Sequence, residues 1–239
     1  MTRLRICQGL IVVFLVPMLL RDRAEGQAVD VNAQVQVARQ PAASKANHDG
    51  SANVVVWLVP VDSHAAEAVK PGRFRLVQKN KQFTPHLLVI PVGSSVDFPN
   101  EDPFFHNVFA FFNGKRFDLG LYESGSTRAV RFDHEGIDYI FCNIHSEMSA
   151  VVIALATPYY AISNREGSVL IHNVPAGQYE MKVWAEGAQV EDLNALTRRA
   201  RIDANQTSLG TIRVVESARP VSHKNKFGED YSPADVHPY

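Results

Sequence analysis

The sequence predicts an all-β protein: a β-sandwich with a second, smaller β-sandwich module behind it. Three observations carry this. Short runs rich in β-branched and aromatic residues recur along the chain, as in "ANVVVWLVPV", "GIDYIFC" and "SAVVIAL". Gly- and Pro-bearing turns punctuate them, and no convincing helical period appears. Hydrophobic residues make up 46% of the 239-residue chain and charged residues 21%, a balance that excludes a disordered chain or a membrane-embedded one. The formal net charge of -1 supplies no basic field for nucleic acid.

At the N-terminus, Arg3 and Arg5 precede "ICQGLIVVFLVPMLL", an apolar run of about fifteen residues. That is short of the roughly 20 residues that span a bilayer. Small residues follow in "AEGQA", so residues 1–28 read as a signal peptide cleaved near Ala28. The mature protein is then periplasmic or secreted, with no membrane span. Cleavage discards Cys7 and leaves Cys142 as the single cysteine. A lone thiol in an oxidising compartment cannot pair within its own chain and is a liability unless something occupies it.

The elements follow in order. "VNAQVQVA" alternates as a strand does, and "RQPAASKANHDGS" is a turn-rich linker. "HLLVIPVGSSVDFPN" reads as two strands around a Gly-Ser-Ser turn, and "HNVFAFF", "STRAVRF", "GIDYIFC" and "SAVVIAL" as four more. These place the first domain at residues 29–156. A break at "ATPYYAISNREG" opens a second block, residues 157–217, with strands "SVLIHNV", "YEMKVWAEG" and "QTSLGTIRVVE". "DLNALTRR" is equally a helical turn or a loop. The block is small for a sandwich of its own, so it is expected to pack on the first domain and to share the early strand "VVVWLVPV". From 218 to 239 the chain has little to bury and reads as a flexible tail.

The chemistry concentrates in "IFCNIHSEM". Cys142 ends a strand whose period of two puts Asp138 and Ile140 on its face. The spacing Cys-x2-His-x2-Met lets a loop leaving that strand bring Cys142, His145 and Met148 to one point. His106, 36 residues before Cys142 at the start of a neighbouring strand, supplies a fourth donor. Two imidazoles, a thiolate and a weak thioether are the donor set of a blue-copper site, whereas zinc prefers four strong donors in a closed tetrahedron. Coordination would also protect the lone thiol. His86 reads as a strand histidine with satisfied hydrogen bonds; Asp118 and Glu123, framing "FDLGLY", read equally as partner contacts or plain surface.

On "FPNEDPFFHNV" and "GIDYIFCNIHSEMSAVVIAL" the chain resembles the cupredoxins, with a ligand loop as tight as that of amicyanin and shorter than that of plastocyanin. It also resembles the periplasmic plastocyanin-like proteins labelled methylamine-utilisation proteins, over about residues 50–156. The resemblance implies a Greek-key sandwich and one copper per chain, held by His106, Cys142, His145 and Met148. It further implies that Asn107 ties the two ligand loops together. Ser146 departs from the proline of amicyanin. "GSVLIHNVPAGQYEMKVWAEG" resembles the transthyretin-like or carboxypeptidase-regulatory modules.

The expected function is single-electron transfer between redox protein partners in the periplasm, with no enzymatic activity of its own. Copper storage or delivery, using the same ligands, is the alternative. A binuclear centre needs a second loop cysteine, and oxidase or nitrite-reductase copper sets need histidines flanking the cysteine, where Phe141 and Asn143 stand. Phe104 and Phe105, beside His106, read as a docking patch or as core. Tyr139 and Phe141 face away from the Cys142 side, so the second block or another subunit is expected to cover them. Oligomeric state is not legible in the sequence.

Overall fold

The computed structural model describes residues 27–39, 50–61, 68–111, 114–216 and 224–231. Residues 1–26, most of the segment read above as a signal peptide, and 40–49, most of the stretch read as a linker, lie outside them. The chain forms β1 (Val29–Arg39), β2 (Val55–Pro60), β3 (Arg73–Arg75), β4 (Val77–Lys79), β5 (Gln82–Thr84) and β6 (Leu87–Pro91). There follow β7 (Ser95–Pro99), β8 (His106–Ala110), β9 (Phe117–Tyr122), β10 (Thr127–Arg131), β11 (Gly136–Phe141) and β12 (Ser149–Leu155). The second half adds β13 (Tyr160–Ile162), β14 (Ser168–Val174), β15 (Gly177–Trp184), α1 (Val190–Ala195), β16 (Arg198–Ile202) and β17 (Ser208–Glu216). The architecture is all-β. No helix among the described residues is long and apolar enough to cross a membrane.

Four sheets stack with three apolar layers between them. The outer sheet β10-β7-β3 faces the five-stranded sheet β6-β12-β11-β8-β9 across a core that includes Phe98, Val108, Ile140 and Val152. The far face of that five-stranded sheet meets the sheet β13-β2-β15-β16 through Val151, Ile153, Trp57 and Trp184. The third layer, including Val56, Met181, Val31 and Ile212, joins that sheet to β14-β1-β17. Strand alternation makes this possible. In β12, Ala150, Val152 and Ala154 face the first layer and Val151, Ile153 and Leu155 the second, so "AVVIAL" is apolar without a break. Of the two residues expected to need a cover, Tyr139 packs in the second layer against the second sandwich, whereas Phe141 packs against Phe109.

The sheets divide the chain differently from the boundary placed at residue 156. β1 lies between β14 and β17, antiparallel to the first and parallel to the second, and β2 lies between β13 and β15. Both N-terminal strands therefore belong to the second sandwich. Without them, the strands of residues 157–217 would leave two sheets with unpaired inner edges and too little apolar surface to close. The stretch "DLNALTRR" divides: a short helix ends at Ala195 and β16 begins at Arg198. The brief strands β3, β4, β5 and β13, at three residues each, are too short to show an alternation in sequence.

Within the first core, β11 buries a carboxyl group. Asp138 accepts the main-chain N–H of Lys115, and a Cβ at Gly114 would collide with Asp138 Oδ1, so only glycine allows this approach. Burial pushes Asp138 up from 3.8 to about 6, against the opposing pull of the Lys115 N–H and charge. The folded state thus binds this proton more tightly than the unfolded chain, and stability falls as pH rises from about 4 to about 6. Asp138→Asn keeps an acceptor for Lys115 and removes the ionisation. It is expected to raise the thermal midpoint at neutral pH by about 3 °C, with the gain vanishing near pH ~4; equal gains at both pH values in thermal scans would show that the ionised carboxylate carries no penalty.

Candidate metal centre

The centre forms where β8 begins and where β11 hands over to β12. β11 and β12 pair antiparallel from Gly136↔Ala154 to Phe141↔Ser149, so residues 142–148 are the connection of a hairpin. Its closure is made by backbone: Cys142 N–H donates to the Met148 carbonyl at 3.2 Å, and Met148 N–H to the His145 carbonyl at 3.1 Å. β8 joins the same sheet beside β11 through Phe109↔Phe141, which brings His106 to the loop end of the hairpin.

There His106, Cys142 and His145 converge. Their donor atoms lie within 4.8 Å of one another, and among the described residues no other group of three or more His, Cys, Asp and Glu side chains does so. Cys142 Sγ lies 3.7 Å from His106 Nδ1 and 3.7 Å from His145 Nδ1. His106, Cys142 and Met148 are fully buried, and Met148 packs in the same core cluster as Cys142. His145 is half-buried and marks the way to solvent. The two imidazoles meet edge to face at 4.9 Å, and the Phe104 ring packs against both, at 5.2 Å from His106 and 5.6 Å from His145. Phe104 is half-buried against the two imidazoles and Phe105 is exposed, so neither belongs to the core. Glu147 is exposed.

A residue that sequence reasoning passed over orients His106. Asp102 Oδ2 lies 2.8 Å from His106 Nε2. The same carboxylate accepts the main-chain N–H groups of Asn80 at 2.7 Å and Lys81 at 2.9 Å. Those two residues form the β4–β5 turn and both have positive φ, as a tight two-residue hairpin turn requires. Burial alone would raise Asp102, but the Lys81 N–H, the His106 ring and the Asn80 N–H hold it below the usual carboxylate range. An ionised Asp102 assigns the proton of His106 to Nε2 and leaves the Nδ1 lone pair aimed at the sulfur. The loop is braced from within: Asn100 Nδ2–H donates to the Phe104 carbonyl at 2.8 Å, and Asn100 Oδ1 accepts the Asp102 N–H at 3.0 Å. "FPNEDPFFH" contained the signal, an Asp four residues before the histidine.

The electrostatics suit a soft metal ion. Burial pushes both imidazoles toward the neutral form; His145, also beside His106 and Lys81, falls to about 4. Neutral rings offer lone pairs. Burial pushes the Cys142 thiol up, partly offset by the N–H groups of Asn107, Ile144 and His145 around the sulfur. Those N–H groups are placed to stabilise a thiolate once a cation replaces its proton. The donor set therefore fits a copper ion: two imidazole nitrogens, one sulfur and a buried methionine alongside.

The remaining candidate residues fall elsewhere. His86 lies 2.7 Å from Glu186 and 3.0 Å from the Ser149 carbonyl, linking the two sandwiches outside the cluster. Asn107 reaches the Cys142 loop through its main-chain N–H at the sulfur, whereas its side chain turns elsewhere. Its Nδ2–H donates to Asp118 Oδ1 at 2.7 Å, and its Oδ1 has no hydrogen-bond partner among the described residues. The tail expected to be flexible from 218 is corrected in part. Residues 224–231 dock on the metal end, because Lys226 and Tyr231 find hydrogen-bond partners there. Asp102→Ala strands three donors at once. It is expected to cost about 3 kcal/mol in denaturant unfolding and to release His106 from a single tautomer, visible as averaged imidazole nitrogen shifts in the metal-free protein; an unchanged tautomer would remove Asp102 from this role.

No protein-family model matches the chain, and no curated protein matches it. Among solved structures, a purple cupredoxin from Nitrosopumilus maritimus aligns at 24% identity over 34% of this chain and 98% of its own, with a TM-score of 0.31. Amicyanin from Paracoccus versutus aligns at 23% identity over 42% of this chain and 97% of its own, with a TM-score of 0.32. The copper-containing nitrite reductase of Thermus scotoductus SA-01 aligns at 22% identity over 50% of this chain, but the match spans only 28% of the reductase, with a TM-score of 0.34. Likeness at this level carries no inference about function, which rests on the side chains themselves.

Proposed function

We propose that the protein is an exported, mononuclear type 1 copper protein that passes single electrons between redox protein partners in the periplasm, and that it is not itself an enzyme. The observation that carries this reading is the convergence of two neutral imidazole Nδ1 atoms on one buried cysteine sulfur, each 3.7 Å away, with Met148 buried in the same cluster. Copper bound there would supply one-electron redox chemistry.

The residues around it perform the rest. Asp102 fixes the His106 ring, and the N–H groups of Asn107, Ile144 and His145 hold the sulfur, so the donor positions are set before any metal arrives. A cage held this rigidly changes little between two charge states, which keeps reorganisation small. Burial of Cys142 and His106 excludes water from the centre, while half-buried His145, with Phe105 exposed nearby, gives a partner close approach. The same burial favours retention of the metal over its delivery, since release would require opening the β11–β12 loop.

Copper added to the full-length protein is expected to bind one per chain with an intense thiolate-to-copper band in the visible and reversible voltammetry, and Cys142→Ala is expected to abolish the band. A colourless copper(I) protein that yields its metal to a weak chelator would instead favour storage or delivery. A band that survives in Cys142→Ala would overturn the ligand assignment.

A further inference from the structure

After the last strand of the second sandwich, the chain returns to the metal end of the first. Lys226 N–H donates to Asn143 Oδ1 at 2.8 Å, and Lys226 Nζ meets Asp118 Oδ2 at 2.9 Å. Asp118 Oδ1 in turn accepts the Asn107 amide at 2.7 Å and the Gly120 N–H at 2.8 Å. Tyr231 donates its hydroxyl to the Cys142 carbonyl at 2.7 Å. Asn107 follows His106 and Asn143 follows Cys142 in sequence. The chain of contacts Asn107–Asp118–Lys226–Asn143 therefore bridges the two strand ends that present the imidazole and the thiol.

These contacts are sheltered. The Lys226 and Asp118 side chains are 25% and 29% exposed. Burial would raise Asp118, but Lys226, Gly120 and Asn107 together hold it below the usual carboxylate range.

We propose that residues 224–231 form a built-in strap in which Lys226 and Tyr231 are positioning residues. They hold Cys142–Asn143 against His106–Asn107 and keep water from the thiol. The effect on a bound copper rests on the function proposed above; the effect on the thiol does not. Loss of the strap has two consequences with the same sign for the metal. Water enters beside the centre, and the Asp118 charge loses its partner; both favour the more positive, oxidised state and lower the reduction potential.

The test uses the full-length Lys226→Ala/Tyr231→Phe variant with Lys226→Arg as the conservative control. In the metal-free proteins, alkylation of Cys142 by iodoacetamide, followed peptide by peptide by mass spectrometry, is expected to be about tenfold faster in the double variant and near wild type in Lys226→Arg. In the copper-loaded proteins, the potential is expected to fall in the double variant and to stay near wild type in Lys226→Arg. An unchanged alkylation rate in the double variant overturns the strap. Wild-type protein that takes up no copper overturns the copper reading alone, because the alkylation rates still decide the strap. A normal visible band with unchanged potential and unchanged alkylation overturns the strap and leaves the copper reading standing.

Discussion

The organisation of this molecule follows from one constraint: the β11–β12 hairpin is buried on both faces. A strand pair in that position must be largely apolar, Asp138 being the exception held by the Lys115 N–H, and it cannot slip, because a one-residue shift would exchange the residues of two separate cores. Val152 and Val151, adjacent in sequence, belong to different layers. The connection between the two strands is thereby fixed at both ends. Seven residues, Cys142 to Met148, must cross from one strand to the other, and their backbone closes the turn with its own hydrogen bonds. The donors are held by the fold before any ion is considered.

The second imidazole is fixed by a different device. Asp102 gathers the N–H groups of the β4–β5 turn and the Nε2 edge of His106 on one carboxylate. A short hairpin that buries Phe83 in the first core is thus also tied to the metal end by charge-assisted hydrogen bonds. The orientation of His106 and the position of the turn become one problem with one solution. The second sandwich contributes from behind: Trp57 and Trp184 pack with Tyr139 in the layer beneath the five-stranded sheet. No residue of β13–β17 belongs to the donor cluster, so that module supports the centre through the sheet it covers.

Much of the candidate site is legible in the sequence. A cysteine, a histidine and a methionine within seven residues point to a common centre because a short loop has few ways to separate them, and the strand character of "GIDYIFC" and "SAVVIAL" places that loop at the end of a sheet. The partners that orient the donors are legible only in part. Asp102 stands four residues before His106, but an acidic residue in a Pro-bearing loop reads first as surface. Asp118 reads as surface or partner contact, and its joint role with Asn107 and Lys226 emerges only when β8, β9 and the C-terminal segment lie side by side.

The sequence by itself determined the all-β class, the alternation that gives each strand its two faces, and the local spacing of Cys142, His145 and Met148. Each of these is written in residues close together along the chain, where covalent geometry and period two leave little choice. Tertiary structure alone decided that β1 joins the second sandwich, that Asp118 lies between Asn107 and Lys226, and that Tyr231 reaches the Cys142 carbonyl. These contacts join residues far apart in the chain, as where Val37 pairs with Val214 in the sheet and Lys226 meets Asp118. Single hydrogen bonds between such distant polar residues leave no periodic trace. They exist only because the layers, once stacked, bring the remote ends of the chain to the same edge.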